Sequence, residues 1–259
     1  MLLVEDNEVN RDLATELLDD LGILVTIAVD GREGVDRVAA EPFDLVLMDI
    51  QMPVMDGLTA TRLIRANDLF CKLPILAMTA HAMTGDRERS LNAGMNAHIT
   101  KPIDPNRLMA TLIRWMPERP AVGPEPMTAL KDLRPPECGI PEQLLPFDIQ
   151  KALIRTNGKP SLLRRIMFGF RDKYKTAGLD LRELIVEGKA EDAERLAHSL
   201  RGIAATLEAK ELAEAASAVE CAFRSRKTEH ISCLIDALDE ALAPAIAAVN
   251  SMDGEMAAL

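Results

Sequence analysis

Aromatic residues are scarce. One tryptophan, one tyrosine and six phenylalanines are spread over 259 positions, so the cores must be built mainly from Leu, Ile, Val, Met and Ala. Positive charge is not in excess either. The formal net charge is −11 and the pI is near 4.9, which argues against a nucleic-acid partner held by general electrostatics. The four cysteines, Cys71, Cys138, Cys221 and Cys233, show no CxxC spacing and no zinc pattern. They read as scattered thiols of a reducing compartment. No apolar run is long enough to span a membrane, and no secretory signal is visible. The expectation is a cytoplasmic chain without membrane contact of its own. A membrane-anchored parent chain is compatible, because the sequence starts almost inside a strand. There is no glycine-rich nucleotide loop and no Walker motif, hence no ATP-binding kinase unit.

What is present is a hydrophobic fraction of 48%, enough for real cores in one or two domains. The stretch Phe43 to Gly57 organises the first part. Leu45-Val46-Leu47-Met48 is a continuous apolar run of the kind that fills a buried parallel strand. It ends in Asp49, and Met52-Pro53 and Asp56-Gly57 then mark a loop. Around it, apolar strands and amphipathic helices alternate from Met1 to Trp115. The spacing predicts α/β architecture, a doubly wound five-stranded parallel sheet over residues 1–116.

In such a sheet the strand ends share one face, where ligands bind. The first strand ends in Glu5-Asp6, the third in Asp49, the fourth in Thr79 and the fifth in Lys101. Three carboxylates held together are costly unless a cation joins them. Hard oxygen donors in a small pocket suit Mg²⁺. Asp49 is then placed to act as a nucleophile forming an acyl phosphate, with Thr79 and Lys101 holding phosphoryl oxygens.

These motifs closely resemble those of response-regulator receiver domains. Val4-Glu5-Asp6-Asn7 is similar to the acidic-pair motif, and Leu47 to Gly57 to the phosphoacceptor motif almost throughout. Thr79-Ala80 and Lys101-Pro102 match the switch and lysine motifs. The resemblance implies that Asp49 accepts phosphoryl from a phosphohistidine. It implies that Asp6 and Asp49 ligate Mg²⁺ directly, with Glu5 acting through water and the Gln51 carbonyl as a further ligand. It also implies that Thr79 and Lys101 contact the phosphoryl group and that Lys101–Pro102 is cis. The family's switch aromatic lies three before the lysine. His98 stands there and is taken as a variant switch residue moving with Thr79.

Eight prolines fall within 117–147, a density that helices and strands cannot carry. This segment is expected to be a semi-rigid linker. Beyond it the pattern is helical. A short helix after Asp148, a long one from Pro160 to about Val186, and helices over about 190–207, 210–224 and 228–248 predict an all-α antiparallel four-helix bundle with a short preceding helix. The bundle spans 148–250, and 251–259 is a tail. On the third of these helices Leu196, Leu200, Ile203 and Leu207 all fall within about 40° of the point opposite His198. His198 is therefore expected on an exposed face. Gly202 and Ala205 share that face and leave room for a large partner, and Arg195 and Arg201 flank it. An exposed imidazole is largely neutral near pH 7 and nucleophilic.

Ala197-His198-Ser199-Leu200-Arg201-Gly202 resembles the core motif of histidine phosphotransfer domains, and Ile203 to Ala209 resembles its continuation. Glu208 stands where that family usually has glycine. Together the two resemblances imply a Mg²⁺-dependent phosphorelay chain like the C-terminal part of a hybrid sensor kinase. Its partners would be an upstream sensor histidine kinase and a downstream response-regulator receiver, with an intramolecular contact between sheet domain and bundle also open. A different class of function is a bundle that dimerises or binds a target under receiver control without phosphotransfer. A phosphatase with an aspartyl nucleophile is a weaker third, since no second acid stands out as general acid.

Overall fold

The apolar runs of the N-terminal half lack polar alternation, and such strands need both faces of their sheet covered. The computed structural model describes residues 1–79, 84–116 and 140–254 and has that arrangement. The expected linker up to residue 139, with Cys138 and Ala80, lies outside the described residues, as does the end of the tail. β1 (Leu2–Val4), β2 (Thr26–Ala28), β3 (Val46–Asp49), β4 (Ile75–Thr79) and β5 (Ala97–Thr100) form one sheet in the order β2-β1-β3-β4-β5. All neighbours are parallel. Alternate side chains point to opposite faces. Leu3, Leu47, Leu76 and Met78 thus join one apolar cluster with α1 (Glu8–Asp19) and α5 (Pro105–Trp115). Leu2, Val4, Val46, Met48, Ile75 and Ala77 join another with α2 (Gly31–Ala40) and α3 (Gly57–Arg65). α4 (Thr84–Asn92) precedes β5.

Short polar side chains start these helices. Asn7, Asp30, Asp56 and Asp104 each accept a hydrogen bond from a main-chain N–H of the first turn, which satisfies one of the donors a helix end leaves open. The second strand is shorter than the expected Leu24 to Ala28. Leu24 is exposed, and β2, an edge strand, pairs only as far as the three residues of β1 allow.

The C-terminal half is a bundle of α6 (Ile149–Arg155), α7 (Pro160–Tyr174), α8 (Ala177–Val186), α9 (Ala190–Thr206), α10 (Lys210–Arg224) and α11 (Ile231–Gly254). The long, interrupted helix expected from Pro160 to about Val186 is two helices, α7 and α8, joined at Lys175-Thr176. Gly178 follows two residues after the joint, but helical spacing alone does not place the break. The break matters, because α8 packs against α9 and α11 while α7 reaches α1 of the sheet domain. Val9, Leu13 and Leu17 of α1 consequently belong to the same buried cluster as Ile166, Phe170 and Tyr174 of α7. Among the described residues no helix is long and apolar enough to cross a membrane.

Candidate functional site

The strand order reverses direction between β1 and β3, the position where an open parallel sheet forms a crevice. Glu5, Asp6 and Asp49 meet there, each offering an oxygen within 4.8 Å of the others. Lys101, carried in from the end of β5, places Nζ 2.6 Å from Glu5 Oε2 and 2.6 Å from Asp49 Oδ2. Asn10 Nδ2 donates to Glu5 Oε1 at 3.0 Å. Arg11 Nη1 donates to the main-chain oxygens of Glu5 and Asp6. Lys101–Pro102 is cis.

Asp49 is 2% exposed. Burial pushes its carboxyl well above the ordinary carboxylate range; Lys101 opposes that shift and Glu5 adds to it. Burial, then Glu5, raises Asp6 in the same direction. Burial alone would lower Lys101, but Asp49 and Glu5 outweigh it and hold the ammonium protonated. The cleft thus holds more negative charge than one lysine can balance. Gln51 Oε1 is buried beside it in sequence without a hydrogen-bond partner. Hard oxygen donors in carboxylate excess fit a small divalent cation such as Mg²⁺. Gly57 supports the same loop from behind. Its N–H donates to the Ile50 carbonyl at 3.0 Å, and a Cβ there would sit 1.9 Å from the Asp49 carbonyl oxygen.

His198 is on α9, opposite the bundle's own leucines, as the helical spacing predicts. It is not exposed, however. Only 7% of it reaches solvent; Glu220 and Arg201 of its own bundle pack against the ring, and the sheet domain faces it across a cavity. Helical periodicity reports the near surroundings of a helix and is silent about a second domain. A cavity of about 430 Å³ is lined on one side by Asp49, Met52 and Thr79 and on the other by Glu191, Glu194, Arg195, His198 and Arg224. The two nucleophiles face one space. Arg195 pairs with Asp192 and also lines the cavity. Gly202 lies in a narrow gap against Asn10, Leu13, Pro102 and Ile103, and Ala205 lies near Pro102.

Arg201 serves another purpose than an open cationic flank. Its Nε is 2.8 Å from Glu220 Oε2, and Glu220 Oε1 is 2.9 Å from His198 Nδ1. Arg224 Nη2 reaches the same carboxylate at 2.5 Å. Burial alone would raise Glu220, but the His198 hydrogen bond and the charges of His198, Arg201 and Arg224 outweigh it and hold it ionised. A carboxylate at Nδ1 selects the tautomer with the proton on Nδ1, leaving the Nε2 lone pair unprotonated. Burial holds the His198 pKa below the ordinary histidine value, with Glu220 opposing, so the neutral ring persists into mildly acidic solution.

Glu220 was not among the expected residues. Its signal was a lone acid on an otherwise apolar face of α10, beside Ala216, Val219 and Phe223, an arrangement rare for an unpaired carboxylate. Thr79 borders the cavity. His98 does not; it pairs across the sheet with Ala77 and is half-buried, its pKa lowered by burial and then by Arg87. Glu208 has φ 55°, a left-handed conformation that favours glycine, which accounts for the residue type expected at that turn.

Comparison with known proteins agrees with both halves. Residues 1–113 match the response regulator receiver domain family, and residues 170–248 match the Hpt domain family. The signal transduction histidine-protein kinase BarA of Escherichia coli K12 is 43% identical over 117 residues, covering 45% of this chain and 13% of BarA. The sensor protein GacS of Pseudomonas syringae is 43% identical over 118 residues, 44% of this chain and 13% of that protein. The chain therefore aligns with only about an eighth of these relatives. Among solved structures, the receiver domain of the sensor histidine kinase PA1611 from Pseudomonas aeruginosa, with a magnesium ion coordinated in its active-site cleft, is 45% identical. It covers 44% of this chain and 93% of that one, with a TM-score of 0.42.

Proposed function

We propose that this chain, a receiver domain followed by an Hpt domain as found in hybrid sensor histidine kinases, passes a phosphoryl group from Asp49 to His198. Residues 1–116 form the accepting unit and residues 148–250 the phosphotransfer unit. The observation that carries the reading is the shared cavity, into which both the carboxylate and the imidazole face.

In the first step the N–P bond of a kinase phosphohistidine breaks and an O–P bond to Asp49 forms. Asp49, Lys101 and Thr79 surround the transferred group, and the Lys101 ammonium balances charge on its oxygens. Glu5, Asp6 and Asp49 with Gln51 would hold Mg²⁺, which when bound neutralises phosphoryl charge. In the second step the Nε2 lone pair of His198 attacks, the O–P bond to Asp49 breaks and an N–P bond forms. The proton on Nδ1 stays where it is. The ring gains positive charge, and the ionised Glu220 already faces it, so little reorganisation is needed. A receiver aspartate on another protein then takes the group from His198.

The test is incubation of the full chain with a phosphorylated sensor kinase, with and without Mg²⁺. Acid- and base-lability of the label distinguishes phosphohistidine from acyl phosphate. Wild type is expected to carry both, His198→Gln acyl phosphate alone, and Asp49→Asn neither. Label on His198 of the Asp49→Asn variant overturns the order. Unchanged downstream output from His198→Gln overturns the relay in favour of a binding module.

A further inference from the structure

The arrangement that brings Asp49 and His198 together also leaves little of either exposed. Each is nearly buried, and the cavity between them is walled by the two domains of one chain. A phosphohistidine domain or a second receiver cannot enter that space at protein size. The contact that holds the two domains in this arrangement runs between α1 and α7.

Its centre is apolar and tightly fitted. A Cβ at Gly169 of α7 would lie 3.2 Å from Val9 Cγ2 of α1. Asn7 Nδ2 donates to the hydroxyl of the buried Tyr174 at 2.8 Å, and the same Asn7 caps α1 directly after the metal-binding acids. Its rim is charged. Lys159 lies against Glu16 at 2.7 Å and against Asp20. Arg165 lies 3.3 Å from Asp12 and 3.5 Å from Glu16. Asn157 Nδ2 donates to Asp20 at 2.9 Å. Asp12, Glu16 and Asp20 are four residues apart and form one acidic stripe along α1. Every pair on the bundle side is basic or amide. The rim pairs are part-exposed and therefore weak and salt-screened, whereas the tether keeps the two domains at high effective concentration.

We infer that the receiver and Hpt domains cap each other's transfer faces, so that exchange with other proteins proceeds from an opened state in which the α1–α7 seam has parted. This rests on the relay reading above but concerns access rather than chemistry.

The test follows His198 accessibility in the full chain. Carbethoxylation by diethyl pyrocarbonate at about pH 8, where neutral imidazole predominates whatever the shift, is read per histidine by peptide mass spectrometry. His230, exposed on the bundle, is the internal reference. In low salt His198 of the wild type is expected to react slowly. Lys159→Glu, or about 0.5 M NaCl on the wild type, is expected to speed it about tenfold relative to His230. Combining Lys159→Glu with Glu16→Lys and Asp20→Lys restores protection, which a merely misfolded bundle cannot do. Equal His198 rates in wild type, variant and high salt overturn the inference, as does a charge swap that fails to restore protection. Protection with no Asp49-to-His198 transfer sinks the relay and leaves the seam standing. Transfer with no protection does the reverse.

Discussion

Asp49 and His198 look into one cavity from opposite sides, yet the groups behind them differ in sign and in balance. Behind Asp49 stand two further acids and one lysine, so negative charge is in surplus and a cation is wanted. Behind His198 stands one acid held by two arginines, so charge is nearly settled before any phosphoryl group arrives. Burial acts on both in the same direction, favouring the neutral form. For the carboxylate that form is the wrong one for nucleophilic attack, and the cation must correct it. For the imidazole it is the right one, and the surrounding ions need only fix the tautomer. The cleft around Asp49 is thus built to be completed from outside, whereas the site around His198 is complete in itself.

The largest expected break in that comparison is Lys101→Ala. Removing the cation from the acid-rich side leaves buried carboxylates uncompensated and costs about 3 kcal/mol in urea unfolding without divalent metal. Mg²⁺ at millimolar levels is expected to restore much of it. Lowering the pH is expected to do so too: Asp49 and Asp6 have raised pKa values, so the folded cleft binds protons more tightly than the unfolded chain and stability falls as pH rises through that window. If Lys101→Ala is as stable as wild type and indifferent to Mg²⁺, the cleft carries no such surplus.

A glycine stands near each nucleophile, and the two should answer differently. Gly57→Ala forces a methyl onto the Asp49 carbonyl and is expected to cost about 2 kcal/mol with loss of phosphoryl acceptance. Gly202→Ala meets nothing within 4 Å; helix propensity predicts a gain of about 0.5–1 kcal/mol. Thermal unfolding of the pair reads both signs.

Between these in subtlety is Glu220→Gln. It is expected to slow transfer to His198 about tenfold, the usual scale for a partner that orients a functional histidine, while acceptance at Asp49 is unchanged. His198 feels the charges of Glu220, Lys101 and Arg201, and Arg224 lines the same cavity. Losing the one negative charge lowers its pKa further, which NMR titration of the ring measures. Because the folded chain already binds this proton less tightly than the unfolded one, His198 removes stability as pH drops below about 6.5, and the variant widens that window. The smallest effect is at the turn after α9. Glu208→Gly relieves a left-handed residue but loses the 2.8 Å pair with Arg155, so the net change in urea midpoint is expected to stay within about 1 kcal/mol.

Much of the cleft was legible because Glu5, Asp6, Asp49, Thr79 and Lys101 sit at or directly after the carboxyl end of a strand, and those ends share one face of a parallel sheet. The opposition of His198 to Leu196, Leu200, Ile203 and Leu207 was legible for a similar reason, since it depends on helical pitch alone. An interruption between Pro160 and Val186 was legible, but its position at Lys175-Thr176 was not, because apolar spacing continues on both sides of it. Glu220 was visible only as an oddity, an acid on an apolar face with no indication of which neighbour it served.

Local chain geometry determined from the sequence alone that one carboxylate would stand at a sheet crevice among acids and that one imidazole would turn from its own leucines. Only the tertiary structure decided that the face so exposed is covered by the same chain. That depends on how α1 and α7, about 150 residues apart, complement each other in shape and charge. Periodicities of two and 3.6 residues describe what a segment offers; they carry no information on which distant surface accepts it.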